Sequence, residues 1–235
     1  IVYAAAVALR QRDLKFVIGY SSVSHMGFVL LGLATANAFG VSGAVLQMFS
    51  HGVIAALLFA VAGRMVYRRT HTRDLDTLSE MNLSHALPFA AFTFVIASAA
   101  SMGIPGFSGF AAEITILIGA WKAFPIAVWI TGAGMVLVAA FTLRALQQSF
   151  FGESSAATPG GSAAPSGDAK SYSASPTLIT SSAERSIHPP DVAPITLPEK
   201  WGAGLLMFAT LAVGLYPKLL LDRILPAVET MRFLK

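Results

Sequence analysis

Three titratable side chains lie within long apolar stretches of this 235-residue sequence: His25, His51 and Glu113. An ionised side chain at the centre of a bilayer is unfavourable by roughly 2.5–3.5 kcal/mol, so it persists only where it faces protein, water or a partner. An imidazole exchanges protons near neutral pH through two distinct nitrogens. We therefore interpret these residues as candidates for moving protons. The alternative for each histidine is a hydrogen-bonding contact between helices, and for Glu113 a capping or pairing role.

Further polar residues share helical faces with the two histidines. Gln47 lies one turn before His51, and Ser21 and Ser22 lie about one turn before His25. Such stripes favour a chain of water molecules along each helix. The sequence contains no phosphate loop, dinucleotide fingerprint or metalloprotease motif, so we assign no catalytic, cofactor-binding or metal-binding residue.

Long stretches without charge predict the helices that carry these residues. Only 12% of the residues are charged and 55% are hydrophobic, and one charge, Glu113, occurs in the five longest apolar stretches, 16–36, 42–63, 86–121, 124–143 and 201–217. About 20 apolar residues at 1.5 Å rise span a bilayer core roughly 30 Å thick. The sequence therefore predicts an all-α, polytopic transmembrane helix bundle, and excludes a cytosolic enzyme and a nucleic-acid-binding protein. The lack of cysteine excludes disulfides and thiolate-bound iron–sulfur or zinc sites.

Basic clusters predict the orientation. Residues 1–9 form the end of an apolar segment that runs into Arg10, Arg12 and Lys15, so we expect a cytoplasmic end there. Span 16–36 then crosses outward, and span 42–63 returns to a basic loop from Arg64 onward. Lys15 at the mouth of the first full span is more typical of an orientation charge than of a relay group. The apolar start also indicates the carboxyl-terminal part of a longer membrane protein.

The run 86–121 is too long for one straight span and is interrupted by Pro105 between two glycines. Proline removes a backbone donor, so we predict two half-helices, 86–103 and 109–121. We favour a single discontinuous span, after which 124–143 returns Arg144 to the cytoplasm. A hairpin is the alternative, and it would leave Arg144 outside.

The remaining sequence divides in two. Residues 153–198 contain ten serines and seven of the 12 prolines, and we expect a disordered cytoplasmic linker. Residues 199–235 would hold the last transmembrane helix and a tail. The first 152 residues would thus form a transmembrane domain with spans at about 1–9 (partial), 16–36, 42–63, 86–103 plus 109–121, and 124–143.

Several motifs occur in a fixed order along residues 13–113. They are DLK (13–15), GYSSVSHMG (19–27), GAVLQM (43–48) before HG (51–52), THTR (70–73), and GIPG (103–106) before Glu113. In this combination the sequence resembles the antiporter-like membrane subunits of respiratory complex I, and among them most closely the M-type chains (subunit 4) or their photosynthetic counterparts. The resemblance implies the carboxyl-terminal portion of a fourteen-helix fold with inverted repeats, whose twelfth helix is broken.

Site roles also follow from the resemblance. Glu113 matches the glutamate of M-type chains, where L-type, N-type and sodium-antiporter chains typically have lysine. Lys15, His25 and His51 fall on family motif positions, so all four are implied in proton translocation. Arg68 and Phe16 depart from the usual motif residues. The helices that carry the family's amino-terminal half-channel have no counterpart in these residues.

The implied function is that of a proton-translocating subunit of a type I NADH:quinone oxidoreductase in the bacterial inner membrane. NADH, FMN, Fe–S clusters and quinone would be bound by other subunits, with no cofactor or redox site on this chain. L-type and N-type chains and the lipid bilayer would be its partners. The alternatives are the equivalent chain of a membrane-bound hydrogenase, a Na⁺/H⁺ antiporter subunit, and a scaffold that docks but conducts nothing.

Overall fold

The computed structural model describes residues 1–152 and 193–230, and their regular structure is helical apart from one isolated antiparallel bridge between Asp13 and Asp74. Most of the predicted linker lies outside the described residues. In chain order the helices are α1 (Val2–Arg10), α2 (Leu14–Ala34), α3 (Ala38–Phe59), a π-helical segment (Ala60–Tyr67), α4 (Arg68–Thr70), α5 (Leu75–Met81), α6 (Leu83–Ala86), α7 (Pro88–Ser101), α8 (Ser108–Ala123), α9 (Pro125–Phe150), α10 (Leu197–Leu215) and α11 (Lys218–Glu229).

Polar side chains start the two helices that carry the histidines. The Asp13 carboxylate accepts a hydrogen bond from the Lys15 backbone N–H at 2.8 Å, and the Asn37 side chain accepts one from the Gly40 N–H at 2.9 Å. Each satisfies an amide that the first turn of a helix leaves unpaired. Asn37 also donates to the Gly119 carbonyl at 2.8 Å. The turn between α2 and α3 is thereby attached to α8.

The second histidine-bearing helix is longer than its apolar run. Hydropathy falls at Gly63, but the helix continues through the π-helical segment and α4 to Thr70. No proline interrupts it, and it ends where His71 adopts a left-handed conformation with φ 54°. The loop that we expected from Arg64 onward is therefore largely helical.

The apolar run 86–121 forms two helices, α7 and α8, with residues 102–107 between them. Gly103 and Gly106 have φ of +69° and +101°, a region that side chains with a Cβ rarely occupy. At 1.5 Å per residue, the 14 residues of α7 and 16 of α8 span only about 21–24 Å each. Each is shorter than a bilayer core by itself.

Three helices of the described residues are long and apolar enough to cross a membrane: α2, the continuous helix Ala38–Thr70, and α9. The pair α10 and α11 adds a fourth if its 69° bend lies within one span. We expected a tail after the last transmembrane helix, and 12 of its residues form α11. Together these helices agree with the predicted all-α membrane fold.

α3 lies at the centre of the bundle, between α2 and α8. Its approach to α8 is close because Gly40 faces Gly119, where an added Cβ would collide with the Gly40 backbone. The loops at one end are joined by backbone hydrogen bonds from Leu14 to Arg73 (2.9 Å) and from Leu75 to Arg12 (2.8 Å). We call this end, which carries residues 10–15 and 64–74, the basic end.

Candidate proton-relay site

The three titratable residues from the apolar runs come together from three helices. His25 on α2 and His51 on α3 stack with ring centroids 5.1 Å apart and planes inclined by 25°. Nε2 of His25 lies 3.8 Å from Oε1 of Glu113 on α8. His25 therefore contacts both of the other residues, which the sequence spacing did not indicate.

His25 is held between two backbone carbonyl groups. Its Nδ1 lies 2.8 Å from the Ser21 oxygen and its Nε2 lies 3.1 Å from the Ser101 oxygen. Ser101 ends α7, directly before the break. A neutral imidazole has one N–H and can donate to only one of these oxygens, whereas the imidazolium donates to both. A second proton on the ring would thus find an acceptor already in position.

Glu113 is almost fully buried, with 2% of its surface exposed. Its Oε2 has no hydrogen-bond partner among the described residues. A Cβ built on Gly103 would lie 2.5 Å from Oε2, so the carboxylate sits directly against the first glycine of the break. The 3.8 Å gap to His25 exceeds hydrogen-bond distance. Direct proton transfer between them therefore needs a small side-chain movement or one bridging water.

Lys15, the fourth residue implied by the resemblance, lies apart from this cluster. It is exposed at the start of α2, and ten residues of helix separate it from His25, about 15 Å along the axis. It lines an open cleft of about 180 Å³ with Tyr67 and Arg73. The structure thus brings together three of the four predicted residues.

The serines near His25 do not form the polar stripe that the sequence suggested. The hydroxyls of Ser21 and Ser22 donate back to the Ile18 carbonyl at 3.0 and 3.1 Å, and Ser24 donates to the Ile1 carbonyl at 3.0 Å. The bonds of Ser21 and Ser22 to the preceding turn satisfy these hydroxyls within their own helix, and the bond of Ser24 attaches α2 to the start of α1. Ser21 contributes to the site through its carbonyl oxygen.

A chain of three buried hydroxyls lies beside the site and was not predicted. Ser50 of α3 lies 2.7 Å from Ser108 of α8, and Ser108 lies 2.9 Å from Thr210 of α10. Of the three residues, only Ser50 adjoins a candidate named from the sequence, His51. The partner on α10 is 102 residues away from Ser108 in the sequence, and no pattern in the sequence identifies that pairing.

Arg69 was also missed, because a basic cluster after an apolar run is typical of solvated orientation charges. Only 5% of its side chain is exposed. Its guanidinium donates to the carbonyls of Ala193 and Pro194 at 2.7 and 2.9 Å and to Glu199 Oε2 at 2.9 Å. It therefore attaches the start of α10 to the end of the long helix that carries His51.

Two curated relatives match about two thirds of this chain. NAD(P)H-quinone oxidoreductase chain 4 2 of Microcystis aeruginosa is 41% identical over 162 residues, which cover 66% of this chain and 29% of that protein. NADH-quinone oxidoreductase subunit M of Rickettsia felis is 40% identical over 153 residues, covering 65% of this chain and 30% of that protein. The chain thus matches less than a third of the length of these relatives.

A solved structure matches nearly the whole chain. A chain in respiratory complex I from Thermus thermophilus with bound NADH superimposes with a TM-score of 0.76 and 28% identity, over 99% of this chain and 42% of that chain. Residues 1–139 match the family model for the transmembrane region shared by NADH:quinone oxidoreductases and Mrp antiporters. That region includes α1 to α8 with His25, His51 and Glu113. The protein is an integral membrane protein and belongs to the NADH:quinone oxidoreductase/Mrp antiporter transmembrane family.

Proposed function

We propose that this chain is part of an M-type, proton-translocating subunit of a type I NADH:quinone oxidoreductase. The observation that carries the proposal is the buried contact of His25 with both His51 and Glu113. Ionisable groups are unfavourable at membrane depth, and His25 in contact with both of the others makes the three residues successive proton acceptors. The M-type assignment is supported by the relative named subunit M and by glutamate at position 113.

The relay needs only proton exchange between neighbouring groups. His25 receives a proton on one ring nitrogen and releases one from the other, which leaves the ring neutral but in its other tautomer, and a ring flip or a second proton exchange restores it before the next turnover. The proton on Nε2 has two acceptors in reach, the Ser101 carbonyl and, after a small movement or through one water, the Glu113 carboxylate. Glu113 then releases it toward the side opposite the basic end. His51, half-buried and stacked on His25, is the second imidazole of the path.

The remaining residue of the family motif would act outside this buried relay. Lys15 is exposed at the basic end, which the positive-inside rule assigns to the cytoplasm. A cation there would tune the entry of protons without exchanging them with the histidines directly.

The coupling to electron transfer belongs to the whole complex. We propose that NADH, FMN, Fe–S clusters and quinone are bound by other subunits and that L-type and N-type chains flank this one. The relative names describe oxidoreductase subunits, and the matched solved structure is a multi-subunit complex. The proposed location is the bacterial inner membrane.

A Na⁺/H⁺ antiporter subunit is the second candidate, because the family model covers both kinds of protein. It predicts ion movement that depends on sodium and continues without NADH. Proton movement that requires NADH and persists in sodium-free medium would favour the oxidoreductase.

Replacing Glu113 with glutamine in the full-length chain tests the relay. The amide keeps the shape of the carboxyl group but cannot exchange a proton with His25. We expect proton pumping per quinone reduced to fall by about 100-fold or more, the lower range for loss of an acid–base group. Pumping is measured with a pH-sensitive dye in proteoliposomes that contain the assembled complex.

The matched control is Glu80→Gln, because Glu80 is exposed on α5 and lies outside the buried cluster. Its pumping should equal that of the unmodified complex. If the Glu113→Gln complex assembles, reduces quinone and pumps protons at the normal rate, Glu113 has no place in the relay.

A further inference from the structure

A small cavity lies between α2, α3, α7 and α9, close to His25. Its volume is about 20 Å³, and the side chains around it are all buried. Phe94, Phe141 and Leu58 form much of its apolar wall. The polar part is made by Ser21, Ser98, Ser101 and Thr142.

Two of these hydroxyls are unpaired. Ser98 on α7 and Thr142 on α9 line the cavity, and their buried Oγ and Oγ1 atoms have no hydrogen-bond partner among the described residues. Buried hydroxyls in folded proteins are nearly always paired with protein or with ordered water. The cavity exceeds the roughly 10–15 Å³ that one water needs, and a water requires two to four polar partners. The volume is sufficient for one water, and the two unpaired hydroxyls are the partners that the cavity offers it.

The cavity is connected to the relay through two residues. Ser21 and Ser101 line it, and their backbone carbonyl oxygens are the two that hold the ring nitrogens of His25. Toward the basic end, Val17 also lines the cavity and lies two residues after Lys15, while Thr142 lies two residues before Arg144. The cavity therefore lies between the two carbonyl groups that hold His25 and the basic end.

We propose that Ser98 and Thr142 bind an ordered water that gives the relay its access to protons from the basic end. This inference rests on the proposed function. The water takes a proton that arrives from the basic end and passes one to His25, whose ring moves off one of its two carbonyl groups to receive it. The water and the hydroxyls end unchanged, and the ring is an imidazolium until Glu113 takes a proton from it. Thr142 is a positioning residue, since it orients the water and does not itself carry the proton away.

The chain offers a closely matched pair of threonines on α9. Thr142→Val removes the hydroxyl and keeps the side-chain shape, while Thr131→Val does the same at another buried position of the helix that does not line the cavity. Thr142→Ser restores a hydroxyl. Each variant is made in the full-length chain of the assembled complex.

Two measurements are combined. A cryo-EM map detailed enough to show ordered waters should contain one between Ser98 and Thr142 in the unmodified complex and none in Thr142→Val. Pumping per quinone reduced should fall by about tenfold or more in Thr142→Val, remain normal in Thr131→Val and recover in Thr142→Ser. Adding Ser98→Ala to Thr142→Val should lower pumping no further, because both hydroxyls hold the same water.

A dry cavity in the unmodified complex overturns the inference, and so does normal pumping by Thr142→Val. Its failure is separable from failure of the relay. If Glu113→Gln stops pumping while Thr142→Val pumps normally, only the water site is wrong. If Glu113→Gln pumps normally, the relay itself is wrong.

Discussion

At the scale of single residues, the position of the Glu113 carboxylate depends on the absence of a side chain at Gly103. Gly103 has φ +69° and faces Oε2 directly. Gly106 has φ +101°, and a Cβ built there would meet nothing within 4 Å. Both glycines allow the backbone of the break, but only Gly103 also provides space for the buried carboxylate.

Gly103→Ala should therefore lower proton pumping more than Gly106→Ala. Both substitutions force a Cβ into a left-handed conformation, at a cost of roughly 1–2 kcal/mol. Gly103→Ala adds a collision with Glu113 that displaces the carboxylate from His25. Pumping per quinone reduced, measured together with the thermal midpoint of each complex, separates the two effects. Equal pumping at equal stability would contradict the role of Gly103.

Residue types were the predictable part of the site. His25, His51 and Glu113 follow from the rarity of such groups in apolar runs. Their order of contact does not follow, because it depends on how α2, α3 and α8 are rotated about their axes. Ser98 and Thr142 were not predicted for a related reason. A hydroxyl in an apolar run ordinarily donates to a carbonyl of its own helix, and only the packed structure shows which hydroxyls remain unpaired.

At the scale of helices, α10 is joined to the bundle by two polar contacts of different kinds. Thr210 pairs with Ser108 in the buried hydroxyl chain. At its first turn, Glu199 accepts from Arg69 and from the Thr196 N–H, and Thr196 and Glu199 form a capping box. α10 follows 40 residues that lie outside the described part of the chain, and it is attached to the bundle at its first turn and again at Thr210.

Arg69→Gln should weaken this docking. The substitution removes hydrogen bonds from a charged guanidinium to two carbonyls and a carboxylate, and we expect it to cost about 1–3 kcal/mol, because Glu199 is only partly buried. Arg69→Lys should recover little of the lost stability, because a single ammonium group cannot reproduce the planar guanidinium that donates to two carbonyls and a carboxylate. We expect earlier thermal dissociation of the complex and faster proteolysis near Ala193.

The neighbouring Arg68 supplies the control, because it has the same charge and is exposed. Arg68→Gln should change stability by no more than about 0.5 kcal/mol. If the Arg69→Gln complex is as stable as the Arg68→Gln complex, the capping box and the hydroxyl chain suffice to hold α10 on the bundle.

The presence of the helices could be predicted from the sequence, but the residues at which they end were harder to predict. Pro105 with its flanking glycines located the break between α7 and α8, because proline and positive φ act locally. The end of the long helix at Thr70 was not predictable from hydropathy, which reports on the surroundings of a helix rather than on its hydrogen bonds.

At the scale of the whole molecule, charge divides the bundle into two ends. The end of α9 lies with the end of α1, where the Arg144 guanidinium donates to the Leu9 carbonyl. Arg144 therefore lies beside Arg10 at the basic end. Lys122 lies at the carboxyl end of α8. This arrangement fits α7 and α8 as one broken span better than it fits a hairpin.

Labelling single cysteines tests that topology, and residues 1–235 contain no native cysteine to interfere. We expect a membrane-impermeant thiol reagent to label Arg68→Cys and Gln147→Cys from the cytoplasmic side and Lys122→Cys from the opposite side. All three positions are exposed. A hairpin would reverse the labelling of Gln147→Cys and Lys122→Cys relative to Arg68→Cys.

The π-helical segment Ala60–Tyr67 has a consequence for comparing sequences by helical wheel. Its hydrogen bonds join residues five apart, so each turn holds about one residue more than an α-helical turn. One extra residue rotates all the following side chains about the helix axis by about 100°. His51 and Arg69 therefore belong to two different registers of one continuous helix. A helical wheel that is drawn at a constant 100° per residue from His51 past Phe59 therefore places Arg69 on the wrong side of the helix.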